Sequence, residues 1–404
     1  MEGIEPWVRG GLDYCTLSAS VTVRLPCSHD SMKRRIAELP LHGGKAPPWL
    51  FKRMARLAGA VTMAIVDEHG PETMLERLSD PWWFQAFGCV LGFDWHSSGL
   101  TTVTCGALKE AAKLYGDDLG ILVAGGKGGT SRKTPDEIAV ASDRHAITNG
   151  DRLIHASRIS AKVDSSAVQD GFQVYHHSFV FTPKGGWCVV QQGMNTDHGQ
   201  ARRYHWHGAT VDDFVCEPHA ALHDGSDTPS LFEAPLNMVA REAEASREAS
   251  TALVRDEPDL VLEAVDRATE GPTLFAPRHH WLLPSDVNSA RLRKIVRDAH
   301  EHHPADFETL LGTPGVGPAT VRSLALLAEL IYDTPACRED VAAGRRYGEK
   351  RWADYAYAHG GKDGTPFPVD RATYDINIAV LTNAVRKARL GITEKSEALK
   401  RLVS

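Results

Sequence analysis

The segment Leu310-Leu311-Gly312-Thr313-Pro314-Gly315-Val316-Gly317-Pro318-Ala319-Thr320 restricts the fold more than any other stretch of the chain. Its leucines read as the end of one apolar helix, its glycines as a tight turn, and Pro318 as the start of a second helix. Gly315 and Gly317 permit backbone angles that other residues resist, and proline suits the first helical position. A helix that starts this way leaves N–H groups without partners at the positive end of its dipole. Such an end attracts anions, and a nucleic-acid phosphate is the natural occupant, with Gly315, Val316, Gly317, Ala319 and Thr320 as the contact residues. An ordinary corner between two helices is the simpler alternative.

The rest of the chain bounds that reading. Its 404 residues suffice for two or three domains. With 42% hydrophobic and 24% charged residues, the composition is that of a globular protein. A net charge of −7 does not advertise nucleic acid, but the charge is uneven. Residues 281–404 hold 18 Lys and Arg against 16 Asp and Glu, whereas residues 231–280 hold 5 against 10. The part carrying the glycine corner is the less acidic one. Seven cysteines with no Cys-x-x-Cys pair argue against a disulfide framework or a zinc ribbon, and a reducing cytoplasm fits best. No apolar run has the length of a membrane span, so no membrane partner is expected. No cofactor motif is present.

Three regions follow from the patterning. Residues 1–31 read as an N-terminal extension, with Met32-Lys33-Arg34-Arg35 as an alternative start. Residues 32–230 mix helices with short strands, and residues 231–404 read as almost wholly helical. The expected fold class is α+β: a mixed α/β domain beside a helical one, with a cleft between them. In the mixed region, residues 120–124 read as a buried strand and residues 125–129 as a glycine loop, from which Lys127 could touch phosphate. Thr134-Pro135-Asp136-Glu137 has the form of a capping box. Residues 172–180 and 187–192 read as a hairpin about Pro183-Lys184-Gly185-Gly186. Tyr175, His176, Gln191, Gln192, Asn195 and Trp206 concentrate polar and aromatic groups near the strand ends, and form the candidate base pocket. Arg202 and Arg203, interleaved with aromatic rings, suit phosphate contact; a half-solvated strand is the plain alternative. Further on, Tyr374, Ile378, Leu381, Val385 and Ala388 recur at helical spacing, with Gly391 as a C-cap.

The corner and the downstream Phe367-Pro368-Val369-Asp370 together resemble the helix-hairpin-helix DNA glycosylase superfamily. The resemblance covers the helical region only. It implies that Gly315, Val316 and Gly317 grip DNA and that Asp370 is the catalytic carboxylate. Lyase-type members carry a lysine two residues after the second hairpin glycine. Ala319 stands there, so the implied reaction is hydrolytic base excision without a Schiff base, leaving an abasic site. The spacing from Ala319 to Asp370 is longer than the family's usual one, which implies an insertion such as residues 340–365. A carboxylate just ahead of a helix is equally a cap.

A second resemblance spans residues 32–389. Leu39-Pro40-Leu41-His42-Gly43-Gly44-Lys45-Ala46-Pro47, Phe84-Gln85-Ala86-Phe87-Gly88-Cys89, Gly92-Phe93-Asp94-Trp95-His96-Ser97-Ser98-Gly99, and Gln191-Gln192-Gly193-Met194-Asn195 with Ala201-Arg202-Arg203-Tyr204-His205-Trp206 are similar to a family of unknown function numbered 763. It implies that the middle and helical regions work as one unit.

Base excision develops positive charge on the sugar, which an ionised carboxylate stabilises, and it requires the base to leave the duplex stack. The expected function is therefore a monofunctional DNA glycosylase acting on double-stranded DNA with a flipped base. The polar middle region would read a bulky modified base, as in viral DNA, and plain repair is the simpler version. A metal-dependent nuclease is the rival, since His176, His177, His198, His205, His207, His219 and His223 lie close in sequence. They lack a tight ligand spacing, and no metal is expected. A non-catalytic DNA clamp with Asp370 as a helix cap is the third reading.

Overall fold

The computed structural model describes residues 39–41, 46–94, 96–223, 235–256, 258–259, 261, 263, 289–342 and 369–387. The N-terminal extension, His42, Lys45, Phe367, Pro368, Ala388 and Gly391 lie outside them, as does most of the expected insertion.

The chain opens with helices α1 (Pro48–His69), α2 (Pro71–Ser79), α3 (Pro81–Val90) and α4 (Gly99–Tyr115). Proline at the start of the first three sets each entry, and Asp80 caps α3 by accepting from the Trp82 and Trp83 amides. Strand β1 (Leu122–Lys127) then leads to α5 (Thr134–Arg144) and α6 (Gly150–Lys162). A π-turn, Val163–Ala167, ends α6 and passes into β2 (Val168–Gln169). Strands β3 (Gln173–Phe181), β4 (Trp187–Asn195), β5 (Gln200–His207), β6 (Ala221–His223) and β7 (Leu236–Asn237) follow. The remaining helices are α7 (Glu244–Asp256), α8 (Ser289–Glu301), α9 (Phe307–Gly312), α10 (Pro318–Tyr332) and α11 (Arg371–Lys387).

Five strands form one antiparallel sheet in the order β1-β3-β4-β5-β6, while β2 and β7 pair separately. The class is thus mixed α and β, as expected. The β3–β4 hairpin falls where the sequence put it, with Thr182 and Gly186 closing the turn.

Strand side chains alternate between faces, and both faces of this sheet are covered. Phe179, Phe181, Val189, Tyr204 and Trp206 join a core with α5, α6, α7, α8, α9 and α10. Val180, Cys188 and Val190, pointing the other way, join a core with α1, α2, α3, α4 and α11. The first core draws on residues from both sides of position 230, so the expected boundary there does not coincide with a break in packing.

Two local expectations are corrected. Gly125 and Gly126 lie inside β1, opposite Ser178 and His177, rather than in a loop. Positive φ at both allows this path, and a Cβ on Gly125 would meet the His177 carbonyl oxygen at 2.2 Å. Thr134 is no N-cap: its hydroxyl donates to Ser131 O at 2.6 Å, because a tight helical turn from Gly128 runs straight into α5. The expected capping-box partner Glu137 turns instead to β1. It accepts from the Gly125 amide at 2.7 Å and pairs with Lys109 at 2.6 Å, and Lys109 donates to Gly125 O at 2.7 Å.

Candidate functional site

The corner between α9 and α10 is built by its sequence. Asp306 caps α9 by accepting from Thr309 N at 2.8 Å. After Gly312 the chain turns: Val316 N donates to Thr313 O at 3.2 Å, and Gly315 takes φ +91°. A Cβ on Gly315 would approach Ile295 to 2.9 Å, so packing and backbone angle both select glycine. Val316 is buried and anchors the turn in the core beneath. Gly317 is extended, Pro318 begins α10, and no side chain caps this helix. Gly315 and Pro318 are exposed, while Gly317 and Ala319 are half-buried. The first-turn amides of a fifteen-residue helix therefore start at the surface.

Two elements of the middle region hold this corner. Lys162, at the end of α6, donates from Nζ to Val316 O. Burial pushes its pKa down, and among the described residues no carboxylate pairs with it. Gln169, on β2, donates from Nε2 to Pro318 O and to Ser166 O, each at 2.9 Å. Its Oε1 accepts from Arg322 Nε at 2.8 Å. The corner is thus fastened to the sheet layer through the π-turn.

Beneath lies a buried polar chain. The π-turn carries Asp164, fully buried, against β4 and β5. Asp164 Oδ2 accepts from Gln191 Nε2 at 2.5 Å and from Trp206 Nε1 at 2.9 Å. Its Oδ1 meets His219 Nε2 at 2.5 Å. Gln191 Oε1 can only accept, so His177 donates to it from Nδ1 at 2.9 Å. Burial pushes the His177 pKa down, and the neutral ring then accepts from the Ser157 hydroxyl at Nε2, 3.0 Å away. A second buried cluster joins Arg202 to Asp170 at 2.8 Å and Asp340 at 2.9 Å, with Tyr204 donating to Asp170 at 2.8 Å.

The expected phosphate contacts Arg202 and Arg203 are therefore interior residues, each at most 2% exposed. Arg203 donates to Gln85 at 2.7 Å, meets His223 at 2.5 Å and lies over the Phe84 ring. Both strand faces are covered by helices, which leaves no solvent edge for these side chains. Lys127 is exposed at the end of β1, with its ammonium 5.5 Å from the centre of the Tyr175 ring.

The six candidate base-pocket residues do not share a pocket, because strand periodicity divides them. Gln191 and Trp206 project toward Asp164 on one face. Gln192, on the other, donates to Ser98 O at 2.9 Å and to the Tyr175 hydroxyl at 2.5 Å, and accepts from Thr101. His176 lies beside Ser178 on that second face. Asn195 organises the β4–β5 turn, accepting from the Asp197 and His198 amides and donating to Gly171 O, all at 3.0 Å.

Asp370 is exposed and caps α11. Its Oδ1 accepts from Ala372 N at 3.0 Å and Thr373 N at 3.2 Å, and its Oδ2 accepts from the Thr373 hydroxyl at 2.7 Å. Tyr374 and Ile378 fix α11 to the core of α1 and α4, while Val316 belongs to the core on the other side of the sheet. The glycine corner and Asp370 stand against opposite faces. Among the described residues, no group of three or more His, Cys, Asp or Glu is placed to hold a metal ion. No described helix is long and apolar enough to cross a membrane.

Gln169, Arg322, Lys162 and Asp164 do not stand out in the sequence. Their signal is weak, because their partners lie far along the chain.

The architecture defines a class: a two-faced antiparallel sheet whose π-turn fastens a glycine corner and a helix start. The family described as "Protein of unknown function (DUF763)" matches residues 35–369, and the chain belongs to it. No curated protein and no solved structure matches the chain.

Proposed function

We propose that this protein binds DNA through its backbone, with the glycine corner and the start of α10 as the clamp on a phosphate. The observation that carries this reading is the setting of the corner. An uncapped helix start lies at the surface, and Lys162, paired with no carboxylate among the described residues, is fixed to the Val316 carbonyl. Amide donors and a positive dipole end together favour an anion. Contacts of this kind bind without reading sequence. The resemblance to helix-hairpin-helix proteins supports the same use of the corner.

Base excision by Asp370 receives no geometric support, because that carboxylate caps α11 against the other face of the sheet. The clamp reading asks nothing of it. Fluorescence anisotropy of a labelled DNA duplex, measured across salt concentrations, tests the proposal. Binding should weaken steeply with salt, and Gly315→Val should abolish most of it while Asp370→Asn leaves it intact. No binding at low salt, or full binding by a folded Gly315→Val variant, overturns the proposal. The same duplexes, plain and base-modified, can be treated with alkali after incubation. Alkali-dependent breaks that Asp370→Asn removes would restore base excision.

A further inference from the structure

Arg322 is the least compensated charge near the corner. It is 7% exposed, and its Nε is held by Gln169. Among the described residues, its Nη2 has no hydrogen-bond partner and no carboxylate forms an ion pair with it. Burial lowers its pKa to about 10, with Arg338 adding repulsion. A buried cation left like this is costly unless something answers it. Helical side chains lean toward the N-terminus, and Arg322 lies one turn after Pro318. Gln169 ties the side chain to that turn, since it donates to the Pro318 carbonyl and accepts from Arg322 Nε. The guanidinium is therefore linked through Gln169 to the first turn of α10, a helix whose start no side chain caps.

The geometry points to a phosphate site shared by the first-turn amides of α10 and Arg322, in which the anion supplies the charge that Arg322 lacks. It deepens the clamp reading given above by naming the residue that answers the anion. The shared chemistry is a tetrahedral oxyanion, either an internal phosphodiester of DNA or a free or terminal phosphate. The corner supplies donors to its oxygens, and the guanidinium supplies a full positive charge in surroundings that screen it poorly. Lys162, fixed at Val316 O, adds a second positive charge.

Inorganic phosphate is the first probe, titrated against the full-length protein in a thermal-shift experiment at constant ionic strength set with chloride. The wild type should gain stability with phosphate. Arg322→Gln should bind phosphate about ten-fold or more weakly, the loss of one charged hydrogen bond. In chloride alone, Arg322→Gln should melt no lower than wild type, since it removes an uncompensated buried charge. A merely structural arginine gives the opposite, a fall in melting temperature with the phosphate response unchanged. Arg322→Lys keeps the charge without the planar fork; it should retain a weakened response and serves if Arg322→Gln does not fold. Arg241→Gln, a surface change, should behave as wild type. Absence of any phosphate response in the wild type, or equal responses in wild type and both Arg322 variants, overturns the site. The DNA arm separates the sources. Loss of both phosphate and duplex binding in Arg322→Gln assigns the site to the DNA backbone. Loss of phosphate binding with duplex binding intact keeps the site, gives it to free or terminal phosphate, and leaves the clamp to be judged by Gly315→Val.

Discussion

Removing the Asp164 carboxylate tests whether the π-turn holds the corner in place. Asp164 is fully buried and accepts from three side chains: His219 at 2.5 Å, Gln191 at 2.5 Å and Trp206 at 2.9 Å. Asp164→Ala leaves three donors without an acceptor in the interior. Each such donor costs about 1–3 kcal/mol, so the total falls near 3–6 kcal/mol once partial rearrangement is allowed. Asp164→Asn keeps one acceptor oxygen and places an amide against the others, which sets its cost at roughly half of that. Urea unfolding followed by tryptophan fluorescence reads this directly, because Trp206 is one of the donors. The midpoint for Asp164→Ala should fall by on the order of 1–2 M. The π-turn also carries Lys162 and Gln169 to the corner, so the variant should lose DNA affinity even where it remains folded. A midpoint equal to that of wild type would overturn this account, since it would mean that the three donors find other partners at no cost.

Asp370→Ala should cost about 1 kcal/mol through loss of the α11 cap and leave duplex affinity unchanged, as urea unfolding and anisotropy can check. Gly125→Ala should prevent accumulation of folded protein, because a Cβ there meets backbone oxygen at 2.2 Å at a φ of +88°. Gly128→Ala, with φ +58° and nothing within 4 Å, should cost only about 1–2 kcal/mol, so circular dichroism of the two variants separates clash from backbone strain. Burial lowers the His176 pKa from 6.5 to about 3. Its stabilising contribution is complete above pH 6.5 and is lost as pH falls toward 3, at about 1.4 kcal/mol per pH unit from this ring. Urea midpoints at pH 7 and pH 5 should show a steeper fall for wild type than for His176→Gln, and equal slopes would count against this role.

Local chemistry made part of the fold legible. The turn residues Pro183 to Gly186 announced the β3–β4 hairpin, and Tyr374 and Ile378, four apart, announced the buried stripe of α11. The glycine corner was legible because a positive φ and a close approach leave so few alternatives at Gly315. What failed to show was which face a residue serves once both faces are covered. Arg202, Arg203, Gln191 and Gln192 look like surface chemistry in a linear reading. Their partners, Asp340, Gln85, Asp164 and Thr101, lie 27 to 138 positions away. A strand between two helical layers carries polar groups inward only when distant partners answer them, and no local pattern encodes that answer.

The ion pair of Lys109 and Glu137 has a consequence for the life of the protein among its own copies. Strand β1 ends the five-stranded sheet, and an unpaired rim of that kind invites another chain to dock alongside. At Gly125 both outward main-chain groups are already taken, the N–H by Glu137 and the carbonyl by Lys109. An incoming strand would have to break a salt bridge to gain two hydrogen bonds. The pair therefore raises the cost of docking at this border of the sheet, and Glu137→Ala should increase the share of dimers and larger species in size-exclusion chromatography.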